Sequence, residues 1–167
     1  MVVAGTTTML AFCRRFLPLC ALAVIATGCS GGSRPTLDGA NIDSTATLVI
    51  ADVTYALDVA CYSMGDDLTA VGEGTDAATG SPVKGLIRGP ASAYVGLMFG
   101  NDEYIYEADA TVPLTIQRDG DRLIGDGISF VRDIDLGSAV GSSVGVGSVT
   151  VECLSTSTGV APPLGSR

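Results

Sequence analysis

The chain has 167 residues, 47% of them apolar, with 18 acidic residues against nine basic ones and no histidine. That length suits a single domain. The acidic balance disfavours nucleic acid, whose binding rests on Lys and Arg neutralising phosphates, and the missing histidine removes the usual general base and the commonest metal ligand.

The first element in chain order is the apolar run Phe16-Leu-Pro-Leu-Cys-Ala-Leu-Ala-Val-Ile-Ala-Thr-Gly-Cys29, preceded by Arg14-Arg15. A short basic region, an apolar stretch of 7–15 residues and small residues at a cut site make a secretory signal. The run is too short for the roughly 20 residues that span a bilayer. Because a cysteine follows Thr27-Gly28 directly, the stretch resembles a bacterial lipobox. In that reading residues 1–28 are a lipoprotein signal peptide, with Met9 an alternative start, and Cys29 becomes the first residue, carrying diacylglycerol and acyl lipid such as palmitate. Plain secretion, with Cys29 incidental, is the competing reading. Cleavage takes Arg14 and Arg15 away and leaves 139 residues with a net charge of −11. So acidic a chain is repelled by anionic lipid, so the membrane is met through the anchor, and two or more acyl chains hold stably where one does not.

Residues 29–46 read as the lipidated N-terminus and a flexible tether, with Gly31-Gly32-Ser33, Arg34-Pro35 and no apolar periodicity. Seventeen flexible residues have an r.m.s. reach of about 23 Å. The hydroxyls at Ser30, Ser33, Thr36, Ser44 and Thr45 are also suited to O-linked sugar.

Residues 47–154 alternate as β-strands do. In Val53–Cys61 the odd positions are Val, Tyr, Leu, Val and Cys, the period-two pattern of a half-buried strand. Tyr104 to Ile116 repeats it on even positions, with Pro113 marking an edge or a bulge. Arg118-Asp119-Gly120-Asp121 supplies an Asp-Gly hairpin turn, Leu123–Val131 returns, and Val149–Cys153 alternates again. Shorter candidates are Leu48–Ala51, Leu68–Gly74, Val83–Arg88 and Ala93–Phe99, punctuated by Gly and Pro. Ser138–Gly147 reads as a loop or a glycine-weakened strand, and residues 155–167 as a disordered tail. Short strands with Gly-rich turns point to an all-β fold, an antiparallel β-sandwich or open barrel in a single domain.

Of the five cysteines, Cys13 and Cys20 leave with the signal and Cys29 takes lipid. Cys61 and Cys153 remain, and outside the cytoplasm such a pair is normally a disulfide, the alternatives being free thiols or a redox pair. Both fall on the apolar parity of their strands, as a bridge across a core requires.

In their order these features resemble the LpqH-like lipoproteins of mycobacteria and related actinobacteria, a lipoprotein antigen family. The likeness is carried by the lipobox at Cys29, the tether, Val59-Ala-Cys61, Arg118–Gly125, Asp133-Ile-Asp-Leu and the closing Val149–Cys153. The resemblance implies an envelope antigen met by host innate receptors through its acylated N-terminus, without enzymatic activity. It implies Cys29 as the acylated position and Cys61–Cys153 as the bridge.

Catalytic patterns are accidental here. Ser81-Pro-Val-Lys84 spells the S-x-x-K of penicillin-binding enzymes, but Pro82 makes a turn where that motif needs a helix. Gly72-Glu-Gly-Thr-Asp-Ala77 spells a dinucleotide fingerprint, yet opens no helix. Asp66-Asp67 and Asp119, Asp121 and Asp126 lack the spacing of a calcium loop and read as turn-forming acids on a solvated rim. No metal site or cofactor is expected beyond the covalent lipid. The densest aromatic and apolar region is Tyr94, Met98, Phe99, Tyr104 and Tyr106; it reads first as core filling, and alternatively as the lining of a site for an apolar ligand. The functional expectation is a monomeric, envelope-anchored, non-catalytic interaction module; the alternative is a carrier or sensor of a small apolar ligand.

Overall fold

A computed structural model describes residues 36–37, 39–100, 104–135, 137 and 140–163; Cys29 and the leader lie outside the described residues. The chain is all-β. Its strands are β1 (Thr36–Leu37), β2 (Ala40–Ile50), β3 (Val53–Met64), β4 (Asp67–Thr75), β5 (Pro82–Gly89), β6 (Tyr94–Phe99), β7 (Tyr104–Ala108), β8 (Gln117–Asp119), β9 (Arg122–Asp135), β10 (Val140–Glu152) and β11 (Thr156–Thr158). Round the sheet, β2, β10, β9, β7, β6, β5, β4 and β3 follow one another, and β3 pairs back onto β2. Eight antiparallel strands therefore close on themselves. Between sandwich and open barrel the outcome is a barrel, and it is shut.

The alternation seen in the sequence builds the core. Leu57, Val59 and Cys61 of β3 point inward with Leu48 and Ile50 of β2, Leu97 and Phe99 of β6, Phe130 of β9 and Val149 and Val151 of β10, each no more than 2% exposed. Eight strands leave an interior just wide enough for side chains or one small ligand. Here side chains fill it. Large inward residues sit opposite inward glycines: a Cβ on Gly85 would stand 2.3 Å from Leu57 Cδ1, and one on Gly74 2.8 Å from Leu57 Cδ2. A Cβ on Gly89 would stand 2.7 Å from Ile116 Cγ2.

Two strands are too short to complete their neighbours, and short pieces fill in. β7 pairs with β9 only at Tyr106–Ala108, so β8 takes the same side of β9 at its start. β2 leaves β3 at Ala60, and β11 runs parallel to β3 beyond that point, along Cys61–Ser63. This corrects the expectation of a disordered tail for residues 155–163 of the stretch 155–167; 164–167 lie outside the described residues. Pro162 is buried and Ala161 packs on Ala60 and Tyr62, because an open strand edge beside a tethered segment is a ready template for pairing.

The tether boundary also moves. β2 begins at Ala40, inside the stretch 29–46, and β1 forms a hairpin with it. A bulge between Ile42 and Ser44 hides this in the sequence. It shifts the side-chain phase, so Ala40 and Ile42 pack outside the barrel with Leu37 and Tyr62, while Ala46, Leu48 and Ile50 pack inside. The Tyr62 hydroxyl donates to the Leu37 carbonyl at 2.6 Å, fastening β1 to the wall. The Ser138–Gly147 alternatives resolve toward the strand from Val140 on, within β10.

Candidate functional site

Cys61 and Cys153 form the disulfide, with a Cα–Cα distance of 6.0 Å. Strand parity brings both to the core side. The bridge passes beneath the start of β2, and polar contacts clamp the same place. Leu154 N–H donates to Ser44 Oγ at 2.9 Å, and Ser155 Oγ donates to the Asp43 carboxylate. Cys153 N–H donates to the Asp121 carbonyl.

At this end of the barrel lies an open groove of about 730 Å³, within the range of small-molecule sites. One wall is the β5–β6 turn, Pro90 to Ala93, with Arg88 and Tyr94 on either side of it. The other is the end of β7, Glu107 to Asp109, and the segment Ala110–Leu114, with Ile134 at the margin. The turn is held from below. Asp67 accepts hydrogen bonds from Ala91 N–H at 2.8 Å and Ser92 N–H at 3.1 Å, and Arg88 Nε donates to the Ser92 carbonyl. Asp67 is thus no solvated rim acid but 7% exposed. Burial raises its pKa, but the Ser92 and Ala91 hydrogen bonds and the Arg88 charge outweigh this and hold the carboxyl below its usual value.

Tyr94 lies on the outer face and crosses Gly96, where a Cβ would stand 2.5 Å from the Tyr94 hydroxyl oxygen. Only glycine permits that path. It lets the hydroxyl donate to Glu107 Oε1 on β7 at 2.5 Å. Burial, then the hydrogen bond to Glu107 and its negative charge, push the Tyr94 pKa far above the ordinary phenol value. Across the groove, Asp109 accepts from Thr111 Oγ1 at 2.7 Å and Thr111 N–H at 2.9 Å. The hydroxyl bond, then the backbone bond, lower its pKa. This Asx turn, with Pro113 after it, ends β7 and divides the long alternating run. Ile116 then turns back into the core at 3% exposure. The groove therefore brings together one cationic, one phenolic and two carboxylate groups, set among alanines, Val112, Pro113 and Leu114.

The aromatic region read from the sequence does not form one lining. Alternation places Tyr94 and Met98 on the outer face, whereas Phe99 is buried inside against Tyr55 and Tyr106, with ring centroids 5.4 Å and 4.6 Å away. Tyr104 pairs with Phe99 across the ladder, and its side chain lies outside the described residues. Arg88, Glu107, Asp109 and the Ala110–Leu114 wall were not read as site residues. Their one signal was the proline within a strand-like run. Among the described residues, no three acidic or cysteine side chains are placed to hold a metal ion.

Compared with protein-family models, curated proteins and solved structures, the chain matches none.

Proposed function

We propose that this protein is an envelope lipoprotein, acylated at Cys29, whose barrel is non-catalytic and works by contact with other molecules, host receptors or envelope partners among them. The observation that carries the reading is the filled interior. Where even the inward Gly85 and Gly89 have no room for a methyl group, a partner meets the barrel from outside, and the groove beside Tyr94 and Glu107 is a candidate place for it. The carrier alternative draws less support, since the residues that would line its site divide between the two faces of the wall.

The fold also shortens the tether. With β1 fastened at Thr36, seven Cα steps separate Cys29 from the barrel, at most about 25 Å of chain. The groove, the disulfide and β1 share one end of the barrel.

The test is native mass spectrometry of the full chain and of Cys29→Ala, each made in a bacterial host that processes lipoproteins. The expected result is a covalent diacylglycerol-and-acyl mass on the wild type alone, with detergent partitioning to match and no non-covalent ligand. A lipid-sized mass shed on activation by both forms would turn the reading to the carrier. An unmodified, water-soluble wild type would remove the anchor.

A further inference from the structure

At the end of the barrel away from the disulfide, β9 and β10 outrun their neighbours. β9 pairs with β10 along its whole length, Val140 to Glu152, but β2 pairs with β10 only from Gly147 to Glu152. Among the described residues, the side of β10 facing away from β9 carries no strand from Val140 to Gly145. Ala51 N–H donates to the Val146 carbonyl and ends the bare stretch. Such an edge presents backbone donors and acceptors to another strand, and proteins usually blunt it with charge or proline. Residues 136–151 contain neither. Val140 and Val146 are 59% and 61% exposed. Register shifts at Val140/Ser142 and Ser143/Gly145 bend the ribbon, which limits any added strand to a short one.

We propose that this edge pairs antiparallel, about a two-fold axis, with the same edge of a second copy of the chain. The charge distribution selects that occupant. Two copies, each at −11 without the leader, repel over most of their surfaces, and the bare residues Val140–Gly145, which carry no charge, are where they can approach with the fewest like charges face to face, the nearest on the ladder being Asp135 opposite Val140. A basic partner gains more on the acidic faces than on this neutral edge. Two-fold antiparallel pairing makes the strand its own complement. Five or six residues a side fall short of the ~1,000 Å² of a stable interface, so the dimer is weak, with a dissociation constant on the order of 100 μM.

Sedimentation equilibrium on the Ser30–Arg167 chain, which contains the whole closed barrel and lacks the acyl group, tests this. The expected result is a monomer–dimer equilibrium that tightens as salt screens the repulsion between copies. Val140→Glu with Val146→Glu should weaken it at least tenfold. Met64→Glu with Val160→Glu adds the same charge at other exposed positions and should weaken it far less. All four positions are more than half exposed, so circular dichroism should show each variant folded. A wild type that stays monomeric at millimolar concentration in high salt overturns the proposal. So does a dimer that both double variants weaken equally. Neither outcome bears on the lipid anchor or the groove.

Discussion

Exchanging the sizes of Leu57 and Gly85 measures how full the barrel is. Leu57 is 2% exposed, and its two methyls occupy the spaces where Gly74 and Gly85 lack a Cβ. Leu57→Ala removes three carbons and leaves a cavity, at a cost of about 3 kcal/mol. Gly85→Ala places a methyl 2.3 Å from Leu57 Cδ1, where carbon contacts need about 3.5–4 Å. Overpacking of that kind costs about 1–3 kcal/mol, less the roughly 0.5–1 kcal/mol that Ala gains over Gly in a strand, so the net loss is about 1 kcal/mol. Independent effects would sum to about 4 kcal/mol. In the double variant the new methyl occupies space the leucine has left, and the loss should fall to about 2–3 kcal/mol, a favourable coupling of about 1–2 kcal/mol.

Urea unfolding followed by tyrosine fluorescence, the chain having no tryptophan, reads all four corners of this cycle with the disulfide intact. If Gly85→Ala alone stabilises the protein, or the two losses add to within about 0.3 kcal/mol, the interior has slack and the reasoning from its fullness fails.

The β2–β3 turn places Ala51 at φ 48° and Asp52 at φ 69°, the left-handed pair that favours Asn-Gly; Ala51→Asn with Asp52→Gly should raise stability by about 1 kcal/mol, seen as a higher urea midpoint. The disulfide closes a separation of 92 residues, and Cys61→Ser with Cys153→Ser should cost about 4–5 kcal/mol in the chain-entropy treatment, shown by unfolding with and without reductant. Because the Asp67 pKa is depressed in the fold, its contribution is present above the unfolded value of about 3.9 and is lost as pH falls through the folded one. Wild type and Asp67→Asn should therefore differ by a constant amount above about pH 5 and converge toward pH 2; a difference that persists in acid would show a role for Asp67 other than its charge. The raised Tyr94 pKa has the opposite sense: its stabilisation is complete below the ordinary value of 10.0 and is lost as pH climbs through the folded value. Glu107→Gln should bring Tyr94 ionisation to lower pH, as followed by the ring resonances of Tyr94.

Legibility followed the period of two. Val53–Cys61 kept its phase without interruption, so the strand, its inner face and the orientation of Cys61 could all be read directly. The start of β2 could not, because the bulge at Ile42/Ser44 moves the apolar residues from one face to the other and averages the pattern away. Residues 156–158 carry no apolar alternation, and they form a strand only because β2 leaves an edge of β3 open. The split of the aromatic cluster was within reach: Tyr94 and Met98 share a parity that Phe99 does not. The groove was not, since its walls come from Arg88–Tyr94 and Glu107–Leu114, and only the β6–β7 and β7–β9 ladders set them side by side.

The two ends of the barrel differ in the groups that hold their loops: side chains and the disulfide take part at the groove end, whereas backbone bonds such as Ala51 N–H to the Val146 carbonyl and Gly100 N–H to the Pro82 carbonyl serve at the other. At the groove end several connections are tied to one another: Asp67 to Ala91 and Ser92, Arg118 Nη1 to the Asp66 carbonyl at 3.0 Å, Cys153 to Asp121 and through sulfur to Cys61. The β5–β6 wall of the groove is held by these bonds, so a ligand meeting that wall would lose little to ordering it. At the far end the β2–β3 turn holds left-handed residues and the β9–β10 ribbon ends in a bare, uncharged edge. Pairing there would draw its strength from backbone hydrogen bonds and its selectivity from the absence of repulsion. The groove lining and the edge proposed for pairing, Val140–Gly145, share no described residue, and they come together where Ile134 at the groove margin lies beside Gly141.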